Sequence, residues 1–265
     1  MIKNKISELG NEQKWNHNIT LPDGTQTSPG KQTSHGKNLV KWQRIESILN
    51  TLNLKNKKVL DLGCNEGFFS FEMAEKGALV SGIDIDPLRI KKANFVKSVF
   101  DVNNPTFNVI DIYSEEFKNL EQFDFCLCMG FVHRIPDPYS AIRAIGDKTD
   151  TILFEWKALK QGHHSDSIAM FSKKDIDNID YYGTEYWLLT YNALETILKR
   201  NNFKFFYKID DPRQRRAILV ASKKSNELFD KKDQIIHRGR IITFLSHTKK
   251  YLKTIFKIFQ GKINS

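Results

Sequence analysis

The sequence predicts an α/β fold, a doubly wound and mainly parallel sheet of seven strands. Three observations carry that prediction. Apolar runs rich in β-branched and aromatic residues alternate with segments whose apolar residues recur at helical spacing, the order that builds βαβ units. The runs are nearly continuous in apolar character, as strands covered on both faces must be. The first ends in Asp61-Leu62-Gly63-Cys64-Asn65-Glu66-Gly67, an acid and a Gly-containing turn that opens into a helical segment; a second strand ends in Asp84, 23 residues after Asp61.

Taken in order, residues 1–36 read as a polar, irregular hairpin and loop extension, with the tip of a short hairpin at Pro22-Asp23-Gly24. Leu39, Val40, Ile45, Ile48 and Leu49 have helical spacing, which predicts a helix over 37–52 carrying Lys41 and Trp42. Strand 57–62 and helix 67–76 follow, then strand 78–83 and a helix over 88–100 behind Pro87, a residue suited to a first helical turn. Further strands are expected at 107–110, ending at Asp111, at 123–129 and at 151–156, with a helix opened by Pro138 between the last two. A polar insertion at 157–190, a helix at 191–200 and strands at 203–209 and 216–221 complete a domain over 37–222. In the tail, 223–265, apolar residues from Ile241 to Phe259 recur at helical spacing with Lys249, Lys250, Lys253 and Lys257 between them.

With 265 residues, 40% hydrophobic, the chain can bury a sizeable core. Its three cysteines, two inside one apolar strand, have no metal spacing; they suit a reducing cytoplasm and argue against a disulfide scaffold or zinc site. The N-terminus shows no signal-peptide pattern, and no run approaches the roughly 18 apolar residues of a membrane span. Of the net charge of +10, eleven Lys/Arg against three Asp/Glu lie between 223 and 265, so the rest of the chain carries only about +2. The basic character belongs to the tail and argues little for nucleic acid as substrate.

The turn after the first strand is neither G-x-G-x-x-G nor a P-loop; it reads Asp-x-Gly-x-Asn-x-Gly. It resembles the first motif of class I S-adenosylmethionine (SAM) methyltransferases, with Asn65 where that family most often has Gly; Asn tolerates the left-handed backbone such a turn needs. The alternative is a dinucleotide-binding domain with a degenerate loop. The resemblance implies a Rossmann-like fold and SAM as cofactor, held by Asp61, Gly63, Cys64, Asn65 and Gly67 in the turn, Asp84 and Ile85 at the ribose, and Asp111 and Ile112 at the adenine. An acid about 20 residues beyond such a turn is placed for ribose hydroxyls in any case, and ligands gather at the C-terminal edge of open α/β sheets. The competing role for each carboxylate is helix capping or a place in a solvated loop.

The stretch from Phe123 to Pro138 resembles the fourth-strand motif of the same family, whose strand end, Met129 here, lines the methionine moiety. His133 is then the candidate general base or acceptor ligand, or else a structural hydrogen-bonding residue. Methyl transfer from a sulfonium is an in-line displacement, so positioning dominates and a base is needed only for a hydroxyl acceptor. Acceptor-side candidates are Lys37, Trp42, Arg134, Trp156, His163, His164, Tyr186 and Arg215. His163-His164-x-Asp166 has no diagnostic metal spacing and reads as a solvated loop, so no metal site is expected.

Trp15-x-His17-x-Ile19-x-Leu21-Pro22-x-Gly24, with Lys41-Trp42 later, looks like the tRNA wobble-uridine carboxymethyltransferase group and its relatives in bacterial surface-polysaccharide biosynthesis. That resemblance implies a methyltransferase acting on an oxygen of a small molecule, sugar or phosphoramidate-type group in capsule synthesis; the alternatives are a tRNA-modifying (carboxy)methyltransferase and a non-catalytic scaffold. The expected partners are a small-molecule or glycan acceptor rather than nucleic acid. The tail reads either as a basic amphipathic helix resting on the inner face of the membrane or as a helix packed on its own domain or on a second subunit. Oligomeric state is left open.

Overall fold

In a computed structural model, the described residues are 1–29, 32–159, 169–173, 185–209 and 216–230, with the side chains of 32–37, 170–173, 185–186, 227 and 230 also outside the description. The expected tail helix, the insertion histidines His163 and His164, and Arg215 fall outside these residues.

Five parallel strands form the centre of the sheet: β1 (Lys58–Leu62), β2 (Leu79–Asp84), β3 (Thr106–Val109), β4 (Phe125–Met129) and β5 (Thr151–Lys157). With β8 (Phe205–Ile209) and β9 (Arg216–Ser222) the order is β3-β2-β1-β4-β5-β9-β8, and β9 runs antiparallel to both its neighbours. This is the seven-stranded, mostly parallel sheet that the apolar strand pattern predicts. Burial is near complete along β1, β4 and β5, which explains why those runs do not alternate.

The crossover helices are α3 (Phe68–Glu75), α4 (Pro87–Phe100) and α6 (Pro138–Gly146), and α7 (Tyr191–Arg200) precedes β8. Local signals set their starts. Asp86 accepts the Leu88 N–H and Asp137 the Ser140 N–H, each followed by Pro in the first turn. Thr190 caps α7 through the Ala193 N–H. Two apolar layers flank the sheet; one is built around α6 and α7, the other around α3 and the N-terminal elements.

The extension departs from the expected irregular stretch. Ile2–Glu12 is a helix, α1, which buries Ile6 and Leu9; apolar residues at 2, 6 and 9 are the helical signal, short enough to be overridden by the polar residues around them. The turn at Pro22–Gly24 is present, closed by the Leu21 N–H on Thr25 O (2.8 Å) and a single bridge between Thr20 and Gln26. Helix α2 (Gln32–Thr51) begins five residues before the expected 37. The sequence pattern also lacks the short α5 (Glu115–Lys118), α8 (Glu227–Asp230) and the hairpin of β6 (Ala169–Lys173) and β7 (Glu185–Leu189) inside the insertion. No helix among the described residues is long and apolar enough to cross a membrane.

Candidate functional site

The C-terminal rim of the parallel strands collects the predicted residues, and the strand order decides how. Because β3, β2 and β1 are neighbours, Asp111, Asp84 and Asp61 come to one half of the rim. Because β9 is antiparallel to β5, its first residue, Arg216, lies opposite Lys157 at the other half, beside the loop after β4.

The turn after β1 is held from within. Gly63 has φ +69°, and a Cβ there would fall 2.8 Å from the Phe131 ring. Asn65 takes φ +54°, as its Asn character permits. The N–H groups of Gly63 and Cys64 both donate to Ile83 O (2.9 and 3.0 Å), that of Asn65 to Asp84 Oδ2 (2.9 Å), that of Glu66 to Asn65 Oδ1 (3.1 Å) and that of Gly67 to Cys64 O (2.9 Å). The N–H of Phe68, in the first turn of α3, donates to His17 Nδ1 (3.3 Å). All six of these N–H groups are therefore committed within the protein. A pyrophosphate cradle needs such donors free, so the dinucleotide alternative loses its anion site.

What the loop offers instead is negative charge. Asp61 is 1% exposed and accepts Ser70 Oγ–H at 2.5 Å. Burial raises its pKa to about 7, the Asp84 charge adds to that, and the Ser70 hydrogen bonds oppose it. Asp84 is half-buried; burial raises its pKa, while N–H donors from Asp86 and Asn65 hold it down. Those two bonds leave lone pairs on both Asp84 oxygens for further donors. Asp111, half-buried just past β3, accepts the Tyr113 N–H at 2.9 Å. Each acid has a capping or turn role as well as a place at the rim. This set suits a ligand bearing positive charge and hydroxyl donors, which are the features of a sulfonium nucleoside. Of the other cofactor-side candidates, Ile85 is half-buried, Ile112 and Met129 are buried, and the Cys64 side chain turns away into a small core with Ile90, Ala93 and Phe107.

The opposite half is cationic. Glu155, on β5, is 0% exposed; its Oε2 lies 3.3 Å from Lys41 Nζ and 3.4 Å from Arg216 Nη1. Among the described residues its Oε1 has no hydrogen-bond partner, and nor does the buried Asn38 Nδ2, one turn before Lys41 on α2. Gly130, just past β4, adjoins the cluster: a Cβ there would lie 3.7 Å from Lys41 Nζ and 3.8 Å from Arg216 Nη1. Arg44 ties α2 to β9 through Arg216 O (3.2 Å). Burial lowers the Lys41 pKa, and Glu155 opposes that shift. Sequence reasoning passes over Glu155 and Asn38; a lone carboxylate at the end of an apolar strand is the signal that marks Glu155.

His133 is buried behind this cluster. Its Nδ1 accepts the Lys157 N–H at 3.4 Å, which puts the ring proton of the neutral imidazole on Nε2. Burial, then the charges of Arg216, Arg134, Lys41 and Lys157, hold its pKa well below the usual imidazole value. Both features disfavour the expected general base. The insertion hairpin docks on the same loop, with Trp187 N–H on His133 O (3.1 Å) and Trp187 Nε1 on Pro136 O (3.0 Å).

Two aromatic candidates are corrected. Trp156 is buried in the α6–α7 core, where its Nε1 donates to Leu189 O (2.9 Å) and its ring meets Tyr191 edge-on. Trp42 is buried in the other core beneath Lys76. Strand and helix periodicity turns both inward. Arg134 is half-buried near the cluster, and the side chains of Lys37 and Tyr186 lie outside the description.

A mostly parallel seven-stranded sheet with acids at one half of its C-terminal rim and a cationic cluster at the other fits a SAM-dependent methyltransferase domain. The chain belongs to the methyltransferase-domain family: residues 53–186 match its model, described as "Methyltransferase domain". The ubiquinone biosynthesis O-methyltransferase of Haemophilus ducreyi is 34% identical over 125 residues, 45% of this chain and 52% of that one; the Pseudomonas entomophila enzyme of the same name is 38% identical over 103 residues, 38% and 43%. The chain thus spans about half the length of the curated relatives it matches. Among solved structures, the N-terminal domain of EvdMO1 with SAH bound superposes at a TM-score of 0.66 with 15% identity, over 84% of this chain and 97% of that one. The bifunctional kinase-methyltransferase WbdD gives 0.53 with 17% identity, over 82% and 46%.

Proposed function

We propose that the protein transfers a methyl group from SAM to an oxygen of a small polar acceptor or sugar that carries an acidic group, with a place in surface-glycan synthesis. The observation that carries the reading is the division of the rim: the buried Asp61 and half-buried Asp84 and Asp111 over β1–β3, and Lys41, Arg216 and Glu155 beside β4, β5 and β9. When bound, SAM supplies a methyl carbon already activated by its sulfonium. Asp61 and Asp84 favour that positive charge and the ribose hydroxyls. Lys41 and Arg216 hold an acceptor carboxylate or phosphate, and Asn38 Nδ2 and Glu155 Oε1 are polar atoms left for the acceptor to satisfy. If the reacting oxygen is a hydroxyl, Glu155 Oε1 is better placed than His133 to receive its proton. Relatives that are O-methyltransferases at 34–38% identity support oxygen as the atom methylated.

Calorimetry with SAM and S-adenosylhomocysteine (SAH), followed by labelled methyl transfer to sugar phosphates, uronic acids, phenols and tRNA, tests the proposal. The expected result is transfer to acidic sugars, with Lys41→Met and Arg216→Met raising KM at least tenfold. Transfer to neutral phenols or tRNA with KM unmoved by either substitution would reject the acceptor class, and absence of SAM binding would reject the whole reading.

A further inference from the structure

The matched methyltransferase domain starts at residue 53, yet the turn that faces the nucleoside is held by a segment far outside it. Glu66 sits in the middle of that turn, 0% exposed. Its Oε1 accepts the Asn16 N–H at 2.9 Å and its Oε2 the His17 N–H at 3.0 Å. Arg89, on α4, pairs with Glu66 Oε1 and also donates to Lys14 O at 2.8 Å. His17 returns the contact: its Nδ1 accepts the Phe68 N–H, and its ring lies edge-on to Phe68 and Phe69. On the other side Gln13 Nε2 donates to Asp86 Oδ2 at 2.6 Å, and buried Lys92 donates to Gln13 O while standing over the Trp15 ring. Segment 13–17 therefore bridges the two loops that carry the cofactor candidates, residues 63–68 and residues 84–86.

We infer that this segment is a positioning strap for the nucleoside half of the site, with Glu66 as its anchor and Arg89 and His17 as its partners. The strap's role rests on the SAM reading above. It follows from how the turn is satisfied. A buried carboxylate must have its lone pairs filled, and both Glu66 oxygens are filled by the strap's backbone. Phe68 N–H has its partner in the strap's imidazole. Remove the strap's grip and the buried Glu66 keeps only Arg89, while the Phe68 N–H loses its partner, inside the loop that must hold Asn65 against Asp84. None of Glu66, Arg89 or His17 needs to touch ligand for this.

Glu66→Gln keeps shape but turns an amide NH2 toward one of the two strap N–H donors and removes the charge facing Arg89. The expected result is a loss of SAH affinity on the order of tenfold, faster amide exchange in peptides covering 62–70, and a similar loss in Arg89→Met. The double variant should lose little more than either single one, because the residues act as one unit, and Arg89→Lys should recover part of the affinity. Ile145→Ala, in the opposite layer at the far end of α6, controls for stability: it should lower the melting midpoint while leaving SAH affinity unchanged. Wild-type affinity in Glu66→Gln, unchanged exchange at 62–70, or an affinity loss in Ile145→Ala proportional to its lost midpoint would each overturn the strap. A wild type that ignores SAH would overturn the cofactor reading instead, and the exchange data would decide the strap by themselves.

Discussion

Asp61 gives a pH dependence that can be worked out in advance. In the free protein its carboxyl group titrates at about 7, because burial and the neighbouring Asp84 charge penalise the anion more than the Ser70 bonds favour it. A cationic ligand favours the ionised form, so binding releases a proton wherever Asp61 starts protonated. At pH 7 about half the molecules carry the carboxylate; at pH 5.5 about one in thirty does. Affinity for SAM should therefore fall about fifteen-fold between those values, about 1.6 kcal/mol. The ligand's own α-amino group, near its ordinary value of about 8, stays protonated across this range. The lowered pKa of His17, about 4, keeps that residue neutral over the same interval. Calorimetry in two buffers of different ionisation enthalpy measures both the affinity and the protons released. Asp61→Asn should bind more weakly at pH 7 and show a flat profile. A flat profile in the wild type, or the wild-type slope retained in Asp61→Asn, would refute the assignment of this carboxylate to the cationic ligand.

Other consequences are as direct. Below about pH 6.5 an unfolded His17 takes up a proton that the buried, folded one refuses until about pH 4, so its contribution to stability is lost as pH falls through that window, by up to about 3 kcal/mol; chemical denaturation of wild type against His17→Gln at pH 4.5 and 7 reads the difference. His133 should leave no inflection near pH 6.5 in the rate profile, since burial and four cations keep it neutral there; an inflection that His133→Gln abolishes would restore it as the base. Trp156→Phe should keep most of the activity, whereas Trp156→Ala should cost about 3–5 kcal/mol in urea unfolding through the cavity it leaves; a Trp156→Phe variant that folds normally but loses acceptor KM would return this residue to the acceptor pocket.

The residues legible in the sequence are those whose neighbours are fixed by short spacing. The turn from Asp61 to Gly67, the acid at Asp84, and the Pro-opened helices at Pro87 and Pro138 each follow from local backbone chemistry. Trp42 and Trp156 are not legible in the same way. An aromatic residue at a strand end or on an amphipathic helix faces rim or core according to a phase of one residue, and only packing reveals which. Glu155 shows the converse: one carboxylate in an apolar run gives no hint of the Lys41 and Arg216 that make its burial tolerable, because they come from 114 residues before it and 61 after it.

Local sequence sets the alternation of strands and helices, and with it the edge of the sheet at which three acids end. Hydrophobic periodicity and turn chemistry act over a few residues, and they suffice for that much. Long-range packing settles the rest: the loop's N–H groups are already taken, an N-terminal segment holds the loop, and α2, β5 and β9 meet around one buried carboxylate. Those are pairings between distant parts of the chain, set by strand order and by the need to satisfy every buried charge, and no local pattern encodes them.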